Sequence, residues 1–184
     1  MTLNVDIFVK GKKILLRRAQ KDDVDYIMKL TDDKENKKYI VTFPRKWHES
    51  AVTSGASGNT FDVIVEEIKS GAPVGYIMIN DLKNEFNEVE WTHFVIDKKG
   101  IGYGHEAMKL LKRWTFEVKK AHRAWMDCKE YNARALHLYE SEGMIREGVI
   151  RETIISGGVY ENLIILGILD REYFARKRAG EEEP

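Results

Sequence analysis

Three glycines at alternate positions in Lys99-Gly-Ile-Gly-Tyr-Gly104 stand between a β-rich run and a helical one. Glycines there let the backbone approach a ligand closely, and the free N–H groups and partial positive charge of a helix start suit an anion. The chemistry indicated is a cradle for a pyrophosphate. Neither common nucleotide signature is met: the dinucleotide fingerprint needs its third glycine where His105 stands, and no Gly-Lys-Ser/Thr ending makes a P-loop. A second segment, Asn132-Ala-Arg-Ala-Leu-His-Leu-Tyr-Glu-Ser-Glu-Gly143, opens on a residue suited to an N-cap and closes on a glycine suited to end a helix. The single cysteine, Cys128, makes no internal disulfide, and the five histidines are too scattered to complete a zinc site with it, so no metal is expected.

Regular elements must hold these two segments. Lys13-Ile-Leu-Leu-Arg-Arg18 predicts an opening strand, and Asp22 and Asp23 place negative charge where a helix start is positive. Val24, Ile27, Met28 and Thr31 then share one face of a first helix. From Lys34 to Gly58, Pro44, Trp47 and Thr53-Ser-Gly-Ala-Ser-Gly58 mix signals and read as short helices and a mobile loop. Phe61–Glu66, Val74–Ile79 and Val89–Ile96 are β-rich, and the turn segments Ser70–Pro73 and Lys83–Asn87 make them an antiparallel meander. Ala107, Leu110, Leu111, Trp114 and Val118 form the stripe of an amphipathic helix reaching Lys119. Ala124–Cys128 is the next strand, parallel to the one ending at Ile96 because a helical crossover joins them. After the Asn132–Gly143 helix, strands at Ile145–Ile155 and Asn162–Leu169 close the fold. The class is α+β, antiparallel first, with one parallel β-α-β step near the middle. Residues 1–175 form a single domain, and 176–184 read as a frayed charged tail.

Composition narrows the partners. A chain of 184 residues suits one domain. Thirty Lys and Arg balance thirty Asp and Glu, so no basic field attracts nucleic acid or an anionic membrane. At 43% hydrophobic and with 3 Pro the chain is too apolar for disorder. Met1–Lys10 lacks the pattern of a signal peptide, and no stretch approaches about 18 apolar residues. One cysteine fits a reducing compartment, and the expected location is cytoplasmic.

Taken together, the two segments resemble the GNAT superfamily of acyl-CoA-dependent N-acyltransferases. Its phosphate loop runs Arg/Gln-x-x-Gly-x-Gly/Ala, which Lys99, Gly102 and Gly104 fill with Lys for the first residue. Its next helix runs Asn-x-x-Ala-x-x-Leu-Tyr-x-x-x-Gly-Phe, which Asn132, Ala135, Leu138, Tyr139 and Gly143 fill with Met144 for Phe. The resemblance spans Lys13 to Leu169, and the closing Gly157–Glu172 looks like the branch of ribosomal-protein N-terminal and spermidine acetyltransferases. It implies a mixed, mostly antiparallel sheet of about six to seven strands, helices on both faces, and a splayed parallel pair at its centre.

The resemblance also implies roles. Backbone groups of Phe94, Val95 and Ile96 pair with the pantetheine arm of acetyl-CoA, and the loop Gly100, Ile101, Gly102, Tyr103, Gly104, His105, with Lys99, holds the pyrophosphate. Asn132 and Ala135 sit against the cosubstrate. The reaction is aminolysis of a thioester, with an acetyl group passed directly to a primary amine of a protein N-terminus, a polyamine or another small amine. Tyr139 suits protonation of the leaving thiolate, because a phenol is a proton donor. Glu90 takes the position of a base that draws a proton from the amine, with His93 second. Glu35, Glu49, Glu152 and Glu161 lie in the segments that shape the acceptor site. Dimers are common in the family, so a homodimer is compatible.

Each assignment has a plainer rival. The glycines could serve only a turn, Tyr139 could be core packing, Glu90 and Glu88 a solvated strand face, and Asn132 only a cap. Cys128 reads as a buried strand residue. The chain as a whole could be a non-catalytic acyl-CoA-binding sensor or scaffold. In the family a longer stretch separates strand and loop, whereas here Lys98 alone parts Asp97 from Lys99.

Overall fold

The computed structural model describes residues 7–53 and 59–183, so Met1–Asp6 and the Ser54–Gly58 part of the expected mobile loop lie outside the described residues. The strands are β1 (Ile7–Lys10), β2 (Ile14–Arg18), β3 (Phe61–Glu67), β4 (Pro73–Asn80), β5 (Glu88–Ile96), β6 (Arg123–Lys129), β7 (Ile145–Ser156) and β8 (Val159–Leu169). The helices are α1 (Val24–Asp32), α2 (Arg45–Thr53), α3 (Tyr103–Arg113), α4 (Ala133–Ser141) and α5 (Asp170–Arg178). One sheet holds the strands in the order β1-β2-β3-β4-β5-β6-β8-β7, antiparallel except where β5 meets β6. Eight strands replace the expected six to seven, because the four-residue edge strand β1 is too short to show a period.

Helices cover both faces, which is why β3 and β4 read as nearly unbroken apolar runs. Val63, Val65, Ile77 and Ile79 join the core that holds Ala107, Leu110 and Leu111 of α3. Ile64, Tyr76 and Met78 face Ile27 and Leu30 of α1. Each such aliphatic side chain stabilises the fold by about 1.5–3 kcal/mol, so two-faced burial of these strands anchors the sheet.

The sheet opens at its centre. Parallel pairing of β5 with β6 is confined to Glu88 with Arg123, Val89 with Ala124, and Glu90 with Trp125. Beyond Glu90 the two strands splay as expected, and β5 keeps only β4 beside it. A bulge follows at once: Trp91 lies opposite Ile79 and His93 opposite Met78, leaving Thr92 as the extra residue. A bulge re-aims the side chains that follow it. Trp91 packs in the α3 core, while His93 sits against Phe43 and Tyr76 on the α1–α2 side.

Three local readings are corrected. The helix expected to reach Lys119 is α-helical only to Arg113 and continues as a π turn over Trp114–Val118. The wider turn breaks the 3.6-residue period, so Val118, expected on the buried stripe, is exposed. Asp23 is not simply a helix-start charge: its buried carboxylate accepts two hydrogen bonds from the Arg17 guanidinium at 2.7 and 2.8 Å, besides the Gln20 N–H. Finally, residues 176–183 are not frayed. Arg176 belongs to α5, and Glu182 is buried against Lys112.

Candidate active site

The gap between β5 and β6 widens into a cleft of about 930 Å³ running from the Lys98–His105 loop, past α4, to the segment that follows α1. Its loop end is built by backbone geometry. Gly100 and Gly102 have φ of 84° and 88°, the left-handed region that glycine adopts without strain, and Gly102 is the N-cap of α3. The first N–H groups of α3 therefore have no helical partner, and they carry the positive end of its dipole. Gly104 is needed for a different reason from the one expected. A Cβ there would stand 3.3 Å from Leu138 Cδ2, so the missing side chain also lets α4 close on α3.

Most residues singled out in the sequence come together here. Phe94, Val95, Ile96, Lys99, Gly100, Gly102, Gly104, His105, Asn132, Ala135 and Tyr139 all line the cleft. Ile101 and Tyr103 do not: the Ile101 carbonyl accepts a bond from Lys13 Nζ at 3.3 Å, and the Tyr103 phenol is hydrogen-bonded to Glu67 on the far side of the loop. Despite the short connection after Asp97, Lys99 reaches the cleft, with its Nζ 3.5 Å from Asn36 Oδ1. Asn132 does cap α4, its Oδ1 accepting from the Ala135 N–H at 3.2 Å, which leaves its amide nitrogen for a ligand.

Tyr139 is buried, and among the described residues its hydroxyl has no hydrogen-bond partner. Burial first, then the proximity of Cys128 and Asp127, push its pKa well above the usual phenol range, so the proton stays on. Cys128 also lines the cleft, but burial holds its thiol up at about 12, far from the thiolate a nucleophile needs.

Glu90 lies beside the cleft, not on its wall. It is half-buried beneath the bulge, where Asn80 Nδ2 donates to its Oε2 at 3.3 Å and also to Thr92 Oγ1 at 2.5 Å. Burial raises its pKa, and Asp127 adds to the rise. His93 does reach the wall, but burial drops its pKa to about 4, which keeps it neutral.

The sequence reading passed over Asp127. It sits on β6, lines the cleft, and has no hydrogen bond or ion pair among the described residues. Burial alone lifts its pKa, because no cation stands beside it. The only signal in the sequence is a charged residue between Met126 and Cys128 in the otherwise apolar run Ala124–Cys128. The acids expected to shape the acceptor site are neutralised or turned away. Glu35 lines the cleft paired with Lys38, Glu161 pairs with Lys129, Glu49 with Arg45, and Glu152 is exposed on β7. Tyr39, Val41, Phe43, Ile154 and Leu163 give the cleft an apolar stretch of lining. No group of three or more metal-ligating side chains is found among the described residues. No helix among them is long and apolar enough to cross a membrane.

The chain is similar to known proteins in sequence and in fold. The family described as acetyltransferase (GNAT) domain matches residues 13–145. A spermidine N(1)-acetyltransferase of Vibrio cholerae is 23% identical over 183 residues, covering 90% of this chain and 98% of that one. The crystal structure of the spermidine N-acetyltransferase from Vibrio cholerae in complex with CoA and spermine superposes with a TM-score of 0.79 at 18% identity, covering 88% of this chain and 98% of that one. A spermidine/spermine N-acetyltransferase structure from the same organism, in complex with manganese ions, gives 0.76 at 18% identity over 89% of this chain and 96% of that one. At these identities the solved structures establish the fold, with its mixed sheet and central parallel pair.

Proposed function

Because the chain belongs to the GNAT acetyltransferase family and is an acetyl-CoA-dependent N-acetyltransferase, we propose that its acceptor is a polyamine, held by Asp127 and acetylated at a terminal amine opposite Tyr139. One observation carries the reading: an unpartnered phenol and an unpaired carboxylate face one cleft, near enough that the Asp127 charge helps raise the Tyr139 pKa. An uncompensated, half-buried carboxylate is costly unless a cation meets it. The apolar wall of Tyr39, Val41 and Phe43 suits the methylene spacers between ammonium groups.

The residues present fit the cosubstrate. The unpaired edge of β5 from Phe94 to Ile96 offers backbone groups to the pantetheine arm, and the glycine turn with the start of α3 offers N–H donors to the pyrophosphate. Bound acetyl-CoA supplies the activated acyl group and a thiolate leaving group. The chain supplies the rest. Asp127 draws the terminal ammonium into the cleft, and its raised pKa makes it a better proton acceptor than a free carboxylate. Thr92 and His93 wall that end, and the neutral imidazole adds no repulsion to a cation. The Tyr139 hydroxyl is the donor from which the departing sulfur takes its proton. Cys128 stays a thiol, which suits passage of the acyl group directly to the amine, and a lone buried cysteine suits the reducing cytoplasm.

A turnover screen with acetyl-CoA over spermidine, spermine, aminoglycosides, amino acids and short peptides tests the reading. Release of CoA is expected with the polyamines at the highest kcat/KM. Turnover confined to peptides would move the acceptor to a protein N-terminus, and no CoA release with any amine would leave an acyl-CoA-binding scaffold.

A further inference from the structure

Lys112 is fully buried, and all three of its ammonium hydrogens are used. Its Nζ lies 2.7 Å from the Glu142 carbonyl, 3.1 Å from Glu142 Oε2 and 2.7 Å from the Glu182 carboxylate. Glu142, directly after α4, also holds a second side chain, since its Oε1 lies 2.8 Å from His105 Nδ1. His105 and Lys112 are two turns apart on α3 and so share a face, and Glu142 ties both to the end of α4. The far end of the chain completes the arrangement. Arg176 Nε donates to Glu182 Oε1 at 2.9 Å, and a Cβ on Gly143 would stand 2.7 Å from Arg176, so α4 ends against α5 with no room between them.

We propose that Glu182 is a positioning residue for cosubstrate binding, acting through Lys112 and Glu142 on His105 at the pyrophosphate loop. A buried ammonium that loses one of two carboxylates must take more from the other. Without Glu182, Lys112 draws the Glu142 carboxylate toward itself and away from His105. The imidazole then loses the carboxylate that holds its ring in place beside the pyrophosphate loop. Glu182 thereby acts on the cosubstrate loop from outside the cleft, which it does not line.

The inference rests on the reading that the CoA pyrophosphate lies at the Gly100–His105 loop, and a double-mutant cycle tests the two separately. CoA affinity is measured by calorimetry on the full chain for wild type, Glu182→Gln, His105→Ala and the pair, with Glu182→Asp as the conservative rescue. His105→Ala is expected to weaken CoA about tenfold, and Glu182→Gln about three- to tenfold where His105 is present but less than about 1.5-fold where it is absent. Glu182→Asp should recover most of the loss, and kcat at saturating acetyl-CoA should hold. Equal losses from Glu182→Gln in both backgrounds, or none in either, would overturn the positioning role, with thermal melts confirming that each variant is folded. Unchanged affinity in His105→Ala would overturn the role of His105 itself, and if Gly104→Val also left CoA binding unchanged, the placement of the pyrophosphate would fall with it.

Discussion

The ring of Tyr139 on α4 stands edge-on to Phe94 on β5, with centroids 6.1 Å apart and planes at 88°. The contact bridges the open part of the sheet, since α4 follows β6 and Phe94 lies on the unpaired stretch of β5. Edge-to-face pairs contribute about 0.5–1.5 kcal/mol beyond their buried area. The phenol is thus fixed by its ring, independently of whatever its hydroxyl does.

Tyr139→Phe keeps that contact and removes only the proton donor. Acetyl-CoA affinity should hold while kcat falls on the order of 10–10³-fold, the range for a lost general acid partly replaced by water. Calorimetry alongside steady-state kinetics checks it, and a variant with full kcat would reduce Tyr139 to packing.

At Gly104 size should matter in steps. With Leu138 Cδ2 3.3 Å from the site of a Cβ, Gly104→Ala forces a shift of a few tenths of an ångström, whereas Gly104→Val also crowds the N–H groups at the start of α3. Alanine should cost CoA affinity several-fold and valine on the order of 10²-fold, as expected when ordered donors are lost from a charged ligand. Chemical denaturation of both variants separates displacement of α4 from loss of the cradle.

Asp127→Asn removes the acceptor's counter-charge with little change of shape. KM for the polyamine should rise roughly 10²-fold, the scale of breaking a desolvated charge pair. The acid limb of kcat/KM in wild type should lie above the ordinary carboxylate range, because burial raises the Asp127 pKa, and the variant should lose that limb. Glu90→Gln, off the cleft wall, should cost less than about threefold. A roughly 10²-fold loss in Glu90→Gln that shrinks as pH rises would instead make Glu90 the proton acceptor.

His93 gives the protein an acid sensitivity whose sign can be worked out. Its folded pKa of about 4 lies below the unfolded value of 6.5, so the unfolded chain binds more protons between those two pH values. Stability therefore rises with pH through that window and is lost as pH falls, by on the order of 3 kcal/mol from this group. Urea midpoints at pH 4.5 and 7.5 should differ less in His93→Phe than in wild type, and equal differences would discount His93.

What the sequence revealed was local. The glycine spacing at 100–104, the cap at Asn132 and the β-rich run from Val89 to Ile96 are each set by neighbours a few residues away, and each stands where expected. What it concealed depends on distant partners. Thr92 is a bulge only because β4 offers one residue fewer opposite it. Asp127 matters because no cation meets it, a property of the surroundings that no residue type announces. Glu182 reads as one of three consecutive glutamates until a buried lysine seventy residues earlier claims it.

Among the described residues, three residue pairs join β5 to β6 and so link β1–β5 to β6–β8 along the sheet. The molecule is in effect two half-sheets meeting at a seam, with α3 as the chain's own strap across it. Parting the strands along that seam breaks fewer backbone pairings than parting any other two interior strands, while one hydrophobic core packs across it. A ligand hydrogen-bonded to the free edge stitches the halves together, and its binding energy is added to their coupling. A filled seam therefore joins the two half-sheets by backbone hydrogen bonds as well as by the core they share.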